Sequence, residues 1–357
     1  MRLPWVKRRF ALFDGVDATP PSAPMSLTVP TWDYNQIDLS WTAVPDAVSY
    51  NVYKDAVFLA SNADTTYSAT GLTELTEYDF YVTAVDLVGN ESAPSNAVTK
   101  TTKYQITKAA EFALGASAAY YRLTDSDNYS LGDSSTEMSI LFRVRLDSDG
   151  SIESYFFNKI GAGGSHEYTG RRNASGANRT FELSLGSNFT TNIGTWDNIF
   201  TGTVDTWVDL AILIDLSEAT AIDRVLLVKD GALAGVDGKA NAMAAGAWPT
   251  SVANMATDLV IPARVDNPNG TDTDGRIADF QIYRRKITLQ EAQDARNRIL
   301  PSPAPSLWLR MHDDNDGDSS SADGDTGGAV NKVVNSAGTT VGSILGTTSS
   351  WQLVSYP

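Results

Sequence analysis

Among 357 residues there are two histidines, His166 and His312, and no cysteine. A Ser-His-Asp or Cys-His site, or a histidine-ligated metal, would have to be built around one of these two imidazoles. His166 follows the run Gly161-Ala162-Gly163-Gly164-Ser165, and His312 heads an acidic stretch. Neither stands in the Gly-x-Ser-x-Gly setting that lifts a nucleophilic serine onto a sharp turn. The carboxylates Asp205, Asp209 and Asp215 are spread along the chain and fit solvated turns or strand ends. This pattern points to a protein without enzymatic activity.

Two other stretches could hold a ligand. Asp313, Asp314, Asp316 and Asp318 surround Asn315 and Gly317, a density of oxygens that suits calcium, a hard cation wanting six to eight of them. The spacing is not that of an EF-hand and no glutamate closes it, so a solvated acidic loop is the plainer reading. Calcium is the one cofactor worth testing. The Gly161 to Gly176 stretch, expected to be a loop, offers His166, Tyr168, Arg171, Arg172 and Asn173. Trp196 and Trp248 sit in other polar segments. Sugar sites combine aromatic platforms with polar groups that fix orientation, which makes these seven residues the glycan-binding candidates. A tryptophan in a β-protein is more often core, and that alternative stands beside the first.

The elements that must position these residues are short strands. Gly, Ser, Thr, Asn and Asp are abundant, as many turns require. The net charge of −16 argues against a nucleic-acid partner, since phosphate binding rests on Lys and Arg. No run approaches the ~20 apolar residues of a membrane helix, so membrane insertion is not expected. Residues 1–19 carry Trp5, Lys7, Arg8, Arg9 and Phe10, a basic and aromatic arm suited to docking on an acidic partner. The apolar run Phe10-Ala11-Leu12-Phe13 is shorter than the ~7–15 residues of an export signal.

After a stiff Pro20-Pro21 lead-in, Ile37 to Trp41, Tyr50 to Tyr53 and Tyr78 to Val85 alternate with period two, as half-buried strands do. Gly71-Leu72-Thr73-Glu74-Leu75-Thr76-Glu77-Tyr78 resembles the tyrosine corner of the fibronectin type III family, with Glu74 in place of the usual proline. Trp41 matches that family's core tryptophan. The resemblance covers residues 20–102 and implies a β-sandwich that acts as a spacer.

From residue 103 the pattern changes. Trp207 to Asp215 is nearly all apolar, Arg224 to Leu233 contains an Asp230-Gly231 hairpin signal, and Leu289 to Ile299 is a helix with the capping box Thr288–Glu291, stopped by Pro301. Gly275-Arg276-Ile277-Ala278-Asp279-Phe280-Gln281-Ile282-Tyr283, continuing to Glu291, resembles the closing pattern of concanavalin A-like, laminin G-like jelly rolls. The family implies a second sandwich over residues 103–357, often with calcium at a loop edge, for which Asp272, Asp274 and Asp279 are a further candidate cluster. The Glu-x-Asp-x-x-Glu string of the hydrolytic branch is missing. The family's opening strand is absent before Phe112 and reappears at Leu307-Trp308-Leu309-Arg310, followed by segments ending near Trp351. The tail, residues 303–357, is therefore expected to complete a circularly permuted jelly roll, in cis or by exchange with a neighbouring subunit.

The expected fold class is all-β, a fibronectin type III sandwich followed by a jelly roll. The pairing resembles appendage and decoration proteins of tailed bacteriophages. That implies a homo-oligomeric structural protein on the virion surface, assembled in the host cytoplasm, docked through the arm to other virion proteins and binding host-surface glycans. The alternative is a polysaccharide-acting enzyme or its carbohydrate-binding accessory module.

Overall fold

The computed structural model describes residues 17–309 apart from stretches at 107, 113–119, 124, 127–128, 132–134, 148–153, 161–165, 174–178, 187–192, 245–246 and 262–274. Beyond these it describes strands at 333–334, 340–345 and 351–355. The chain divides into two units, Met1–Gln105 and Ile106–Pro357. The docking-arm residues Trp5, Lys7, Arg8, Arg9 and Phe10 lie outside the described residues.

The first unit contains β1 (Gln36–Ser40), β2 (Ser49–Lys54), β3 (Val57–Asn62), β4 (Thr66–Thr70), β5 (Glu77–Val85) and β6 (Val98–Thr101). β1 pairs with β4, and the facing sheet runs β3-β2-β5-β6, all antiparallel. Period-two alternation buries Ile37, Leu39, Tyr50, Val52, Phe80 and Val82 between the sheets, with Trp41 edge-on to Tyr50. Each such side chain removed from water contributes about 1.5–3 kcal/mol. The Tyr78 hydroxyl accepts a hydrogen bond from the Thr73 amide at 3.0 Å, fixing the corner that the sequence motif implies. The unit is a fibronectin type III-like sandwich.

The second unit begins with β7 (Lys108–Phe112), β8 (Tyr120–Leu123), β9 (Glu137–Leu146), β10 (Ser154–Ile160), β11 (His166–Asn173) and β12 (Thr180–Leu185). It continues with β13 (Ile193–Trp196), β14 (Trp207–Asp215), β15 (Val225–Lys229), β16 (Ala232–Leu233), β17 (Ala242–Ala244) and β18 (Leu259–Ile261). It closes with β19 (Gly275–Tyr283), α1 (Leu289–Arg296), β20 (Leu307–Leu309), β21 (Val333–Val334), β22 (Thr340–Leu345) and β23 (Trp351–Ser355). One sheet runs β17-β13-β12-β11-β10-β18-β8-β22-β21 and the other β16-β15-β14-β9-β19-β7-β23, with β20 also on β19. The core between them is aromatic, with Phe142, Phe156, Phe157, Phe181, Trp196 and Phe280 among its members.

This second unit is a sandwich of two large, predominantly antiparallel sheets. Its tail strands pair within the same chain: β22 with β8 and β23 with β7, while β20 takes three residues of β19. A sheet edge left by the missing opening strand is thus filled from the C-terminus, which satisfies its backbone groups. The near-continuous apolar run of β14 also has a structural reason. Leu210, Ile212 and Ile214 face the inter-sheet core, while Ala211 and Leu213 face α1 on the other side.

α1 carries the expected capping box, in which Thr288 accepts from the Glu291 amide and Glu291 accepts from the Thr288 amide. It ends at Arg296, a turn earlier than expected. Asn297 caps it and Arg298 takes a left-handed φ of 64°, which redirects the chain before Pro301 can clash. The Asp-Gly hairpin signal is met by φ of 50° at Asp230 and 81° at Gly231.

Candidate functional site

The glycan candidates between Gly161 and Gly176 lie on a strand and not in a loop: β11 begins at His166 and pairs with β10. Period-two geometry therefore splits the glycan candidates between two faces. Tyr168 points inward, is fully buried, and donates its hydroxyl to the Tyr129 carbonyl. Burial pushes its phenol well above the usual range. Arg172, at 3% exposure, is buried as well.

Trp196 and Trp248 are corrected more completely. They are 0% and 1% exposed and stack at 6.1 Å between ring centroids, so neither is a platform for a ligand. Trp196 Nε1 donates to the Gly238 carbonyl at 2.8 Å. Gly194 makes room for the Trp248 ring, since a Cβ there would lie 2.2 Å from its Cζ2.

Arg171 and Asn173 point away from the core and meet. The Arg171 guanidinium bonds the Glu182 carboxylate through Nε at 2.8 Å and Nη2 at 2.7 Å, and donates Nη1 to the Tyr155 hydroxyl at 3.0 Å. Asn173 Nδ2 donates to the other Glu182 oxygen at 2.7 Å. Pairing places Tyr155 opposite Arg171, Arg171 opposite Glu182, and Glu182 opposite Thr195, a row across four strands. Tyr155 and Glu182 are buried, while Arg171, Asn173, Thr180 and Thr195 are half-buried along it.

The sequence reading missed Tyr155 and Glu182. Glu182 alternates with the core residues Phe181 and Leu183, and that alternation is the signal that could have placed it. The row presents the half-buried Arg171 and Asn173, held in place by the buried Tyr155 hydroxyl and Glu182 carboxylate, polar groups of the kind that orient sugar hydroxyls.

A cleft of about 320 Å³, its open mouth included, lies between α1 and the outer face of β9, β14 and β19. Arg143 Nε meets Asp209 at 2.6 Å, and Arg296 Nε meets the same carboxylate at 3.3 Å. Burial pushes Asp209 up against the pull of both guanidinium groups. Asp279, left-handed at φ 52° in a bulge of β19, is buried and accepts from Trp308 Nε1 at 2.7 Å and Gln281 Nε2 at 2.9 Å. It ties β20 to β19 rather than standing at a loop edge. Asp272, Asp274, Asp313, Asp314, Asp316 and Asp318 lie outside the described residues, among which no group of three metal-ligating side chains occurs.

No protein-family profile matches the chain. A poly(3-hydroxybutyrate) depolymerase from Ralstonia pickettii is 40% identical over 103 residues, 29% of this chain and 21% of that protein. Chitinase Chi52 from Paenibacillus xylanexedens is 42% identical over 89 residues, 24% of this chain and 17% of that protein. The matches fall on fibronectin type III regions of those enzymes. The chain thus spans about one fifth of the length of the curated relatives it matches. A solved Fn3-like protein from Clostridium thermocellum is 30% identical, with a TM-score of 0.22, over 24% of this chain and 99% of that one.

Proposed function

We propose that the chain is a non-catalytic accessory of a polymer-degrading system, in which the fibronectin type III unit is a spacer and the jelly roll binds polysaccharide. The relatives of the spacer are named for polymers, poly(3-hydroxybutyrate) and chitin. The observation that carries the reading is the cross-strand row of Tyr155, Arg171, Asn173 and Glu182. Its charges are already paired, so hydroxyls would meet preorganised groups and little ordering would remain to oppose binding.

Hydrolysis of a glycosidic bond needs two carboxyl groups flanking the sugar, roughly 5–10 Å apart. In the row Glu182 is held by Arg171 and Asn173, and in the cleft Asp209 is held by Arg143 and Arg296. Each acid is committed to an ion pair, which favours binding over catalysis. The virion-appendage reading gains no support from the described residues, and its docking arm lies outside them.

The test is co-sedimentation of the full chain with chitin, cellulose, starch and poly(3-hydroxybutyrate) particles, together with an assay of released sugar. Retention on a polysaccharide without sugar release is the expected result. Sugar release abolished by an Asp or Glu substitution would make it an enzyme. Presence in purified virions, with no retention on any polymer, would restore the appendage reading.

A further inference from the structure

Lys159 of β10 is fully buried, ammonium included, and so is Glu167 of β11. Among the described residues, five oxygen atoms surround Lys159 Nζ. They are Ser130 Oγ at 2.6 Å, Glu167 Oε2 at 2.8 Å, Asp125 Oδ1 at 2.8 Å, the Met255 carbonyl at 2.8 Å and Asn254 Oδ1 at 3.4 Å. The cage is assembled from four places in the chain. A bulge puts the extra residue Glu167 between His166 and Tyr168 opposite Ile160 and Lys159, and such a bulge re-aims a side chain. Here it turns Glu167 to the side of the sheet that Lys159 occupies. Glu167 is fixed there by the Leu131 amide and by the Met255 amide at 3.0 Å.

An ammonium has three protons to donate, fewer than the five oxygens that face it. A hydrogen-bonding site for lysine needs three acceptors; a hard divalent cation needs six to eight oxygens, mixed between carboxylates, amide or backbone carbonyls and water. The donor set here is of the second kind. Among the described residues the cage sets two carboxylates against the one ammonium, a charge that a divalent ion would match.

We infer that the Lys159 ammonium is a built-in substitute for a divalent cation, filling a calcium-type cage with the chain's own side chain. It joins the segments bearing Asp125, Ser130 and Asn254 to the β10–β11 hairpin without any metal. Removal of the side chain converts the cage into a calcium site. This inference is independent of whether the neighbouring sheet face binds sugar.

The experiment compares the full chain with Lys159→Ala in EDTA and in calcium chloride, following the second unit's melting transition and terbium luminescence. Lys159→Ala should melt well below the parent in EDTA. With calcium at a hundredfold excess over its Kd it should regain roughly 5–10 °C and bind one more terbium ion than the parent. Adding Glu167→Gln should abolish that extra ion. No calcium response beyond the parent's, or an extra ion that survives Glu167→Gln, overturns the inference. Should Lys159→Ala be insoluble in both buffers, acetylation of the parent decides. Lys159 stays unmodified with and without calcium if its ammonium is the cage cation, and a calcium-dependent change in its reactivity refutes that.

Discussion

The two units stabilise themselves in different ways. In the first, an apolar cluster is fixed by neutral hydrogen bonds, from the Val44 amide to the Tyr50 hydroxyl and from the Thr73 amide to the Tyr78 hydroxyl, and the buried Asp86 accepts from the Val88 and Asn90 amides. In the second, charge goes inside: Lys159 with Glu167, Arg143 with Asp209, and Arg171 with Glu182 are all wholly or largely removed from water. Buried pairs are weak sources of net stability, yet breaking one is costly because it strands the partner. The first unit therefore has the chemistry of a scaffold, and the second has groups held in fixed places at a cost that binding or assembly can justify.

The strongest way to break this contrast is to remove the tail. A chain ending at Leu300 loses β20 to β23 and with them one pairing partner each of β7, β8 and β19. Calorimetry should show the second unit's cooperative transition abolished and the first unit's retained. A second unit that melts as hot as in the intact protein would show the tail to be dispensable.

A single buried charge comes next. Glu167→Leu leaves Lys159 short of one of its two carboxylates and should destabilise the second unit by about 3–5 kcal/mol, read from denaturant midpoints. The matching change in the first unit is Tyr78→Phe, which takes the acceptor from the Thr73 amide and should cost about 1–2 kcal/mol. Equal effects would erase the distinction between the two cores.

The smallest effect concerns pH. The Arg285 guanidinium, helped by the Thr288 amide and hydroxyl, holds Glu291 down to about 2 from 4.5. A carboxyl depressed in the folded state contributes stability above its unfolded pKa and loses it as pH falls through the folded value. Stability should therefore decline between pH about 4.5 and 2, and Glu291→Gln should flatten that part of the profile. An unchanged slope in the variant would assign the acid sensitivity elsewhere.

Much of the fold is legible in the chain because its signals are local. The tyrosine corner, the Asp230-Gly231 turn and the Thr288–Glu291 box each need only a few neighbouring residues. The tail's place is legible as well, because an opening strand missing at Phe112 has its match at Leu307. The site is less so. Trp196 and Trp248 have no apolar run around them in sequence, and Trp248 is buried in room that Gly194 leaves. Arg171 and Arg172 are adjacent and look alike in a string, but strand alternation sends one outward to Glu182 and the other inward. The bulges that re-aim Glu167 and Asp279 leave no mark in composition or period.

Affinity electrophoresis of the full chain and Arg171→Ala through gels containing soluble polysaccharides tests the central claim most directly. The parent should be retarded by at least one polysaccharide. Arg171→Ala strands Glu182 and should melt lower, so it is compared well below its transition, where it should bind roughly tenfold more weakly, a loss of about 1.4 kcal/mol. Retardation equal in both proteins, or absent from both across chitin, glucan and starch derivatives, would contradict the assignment of binding to this row.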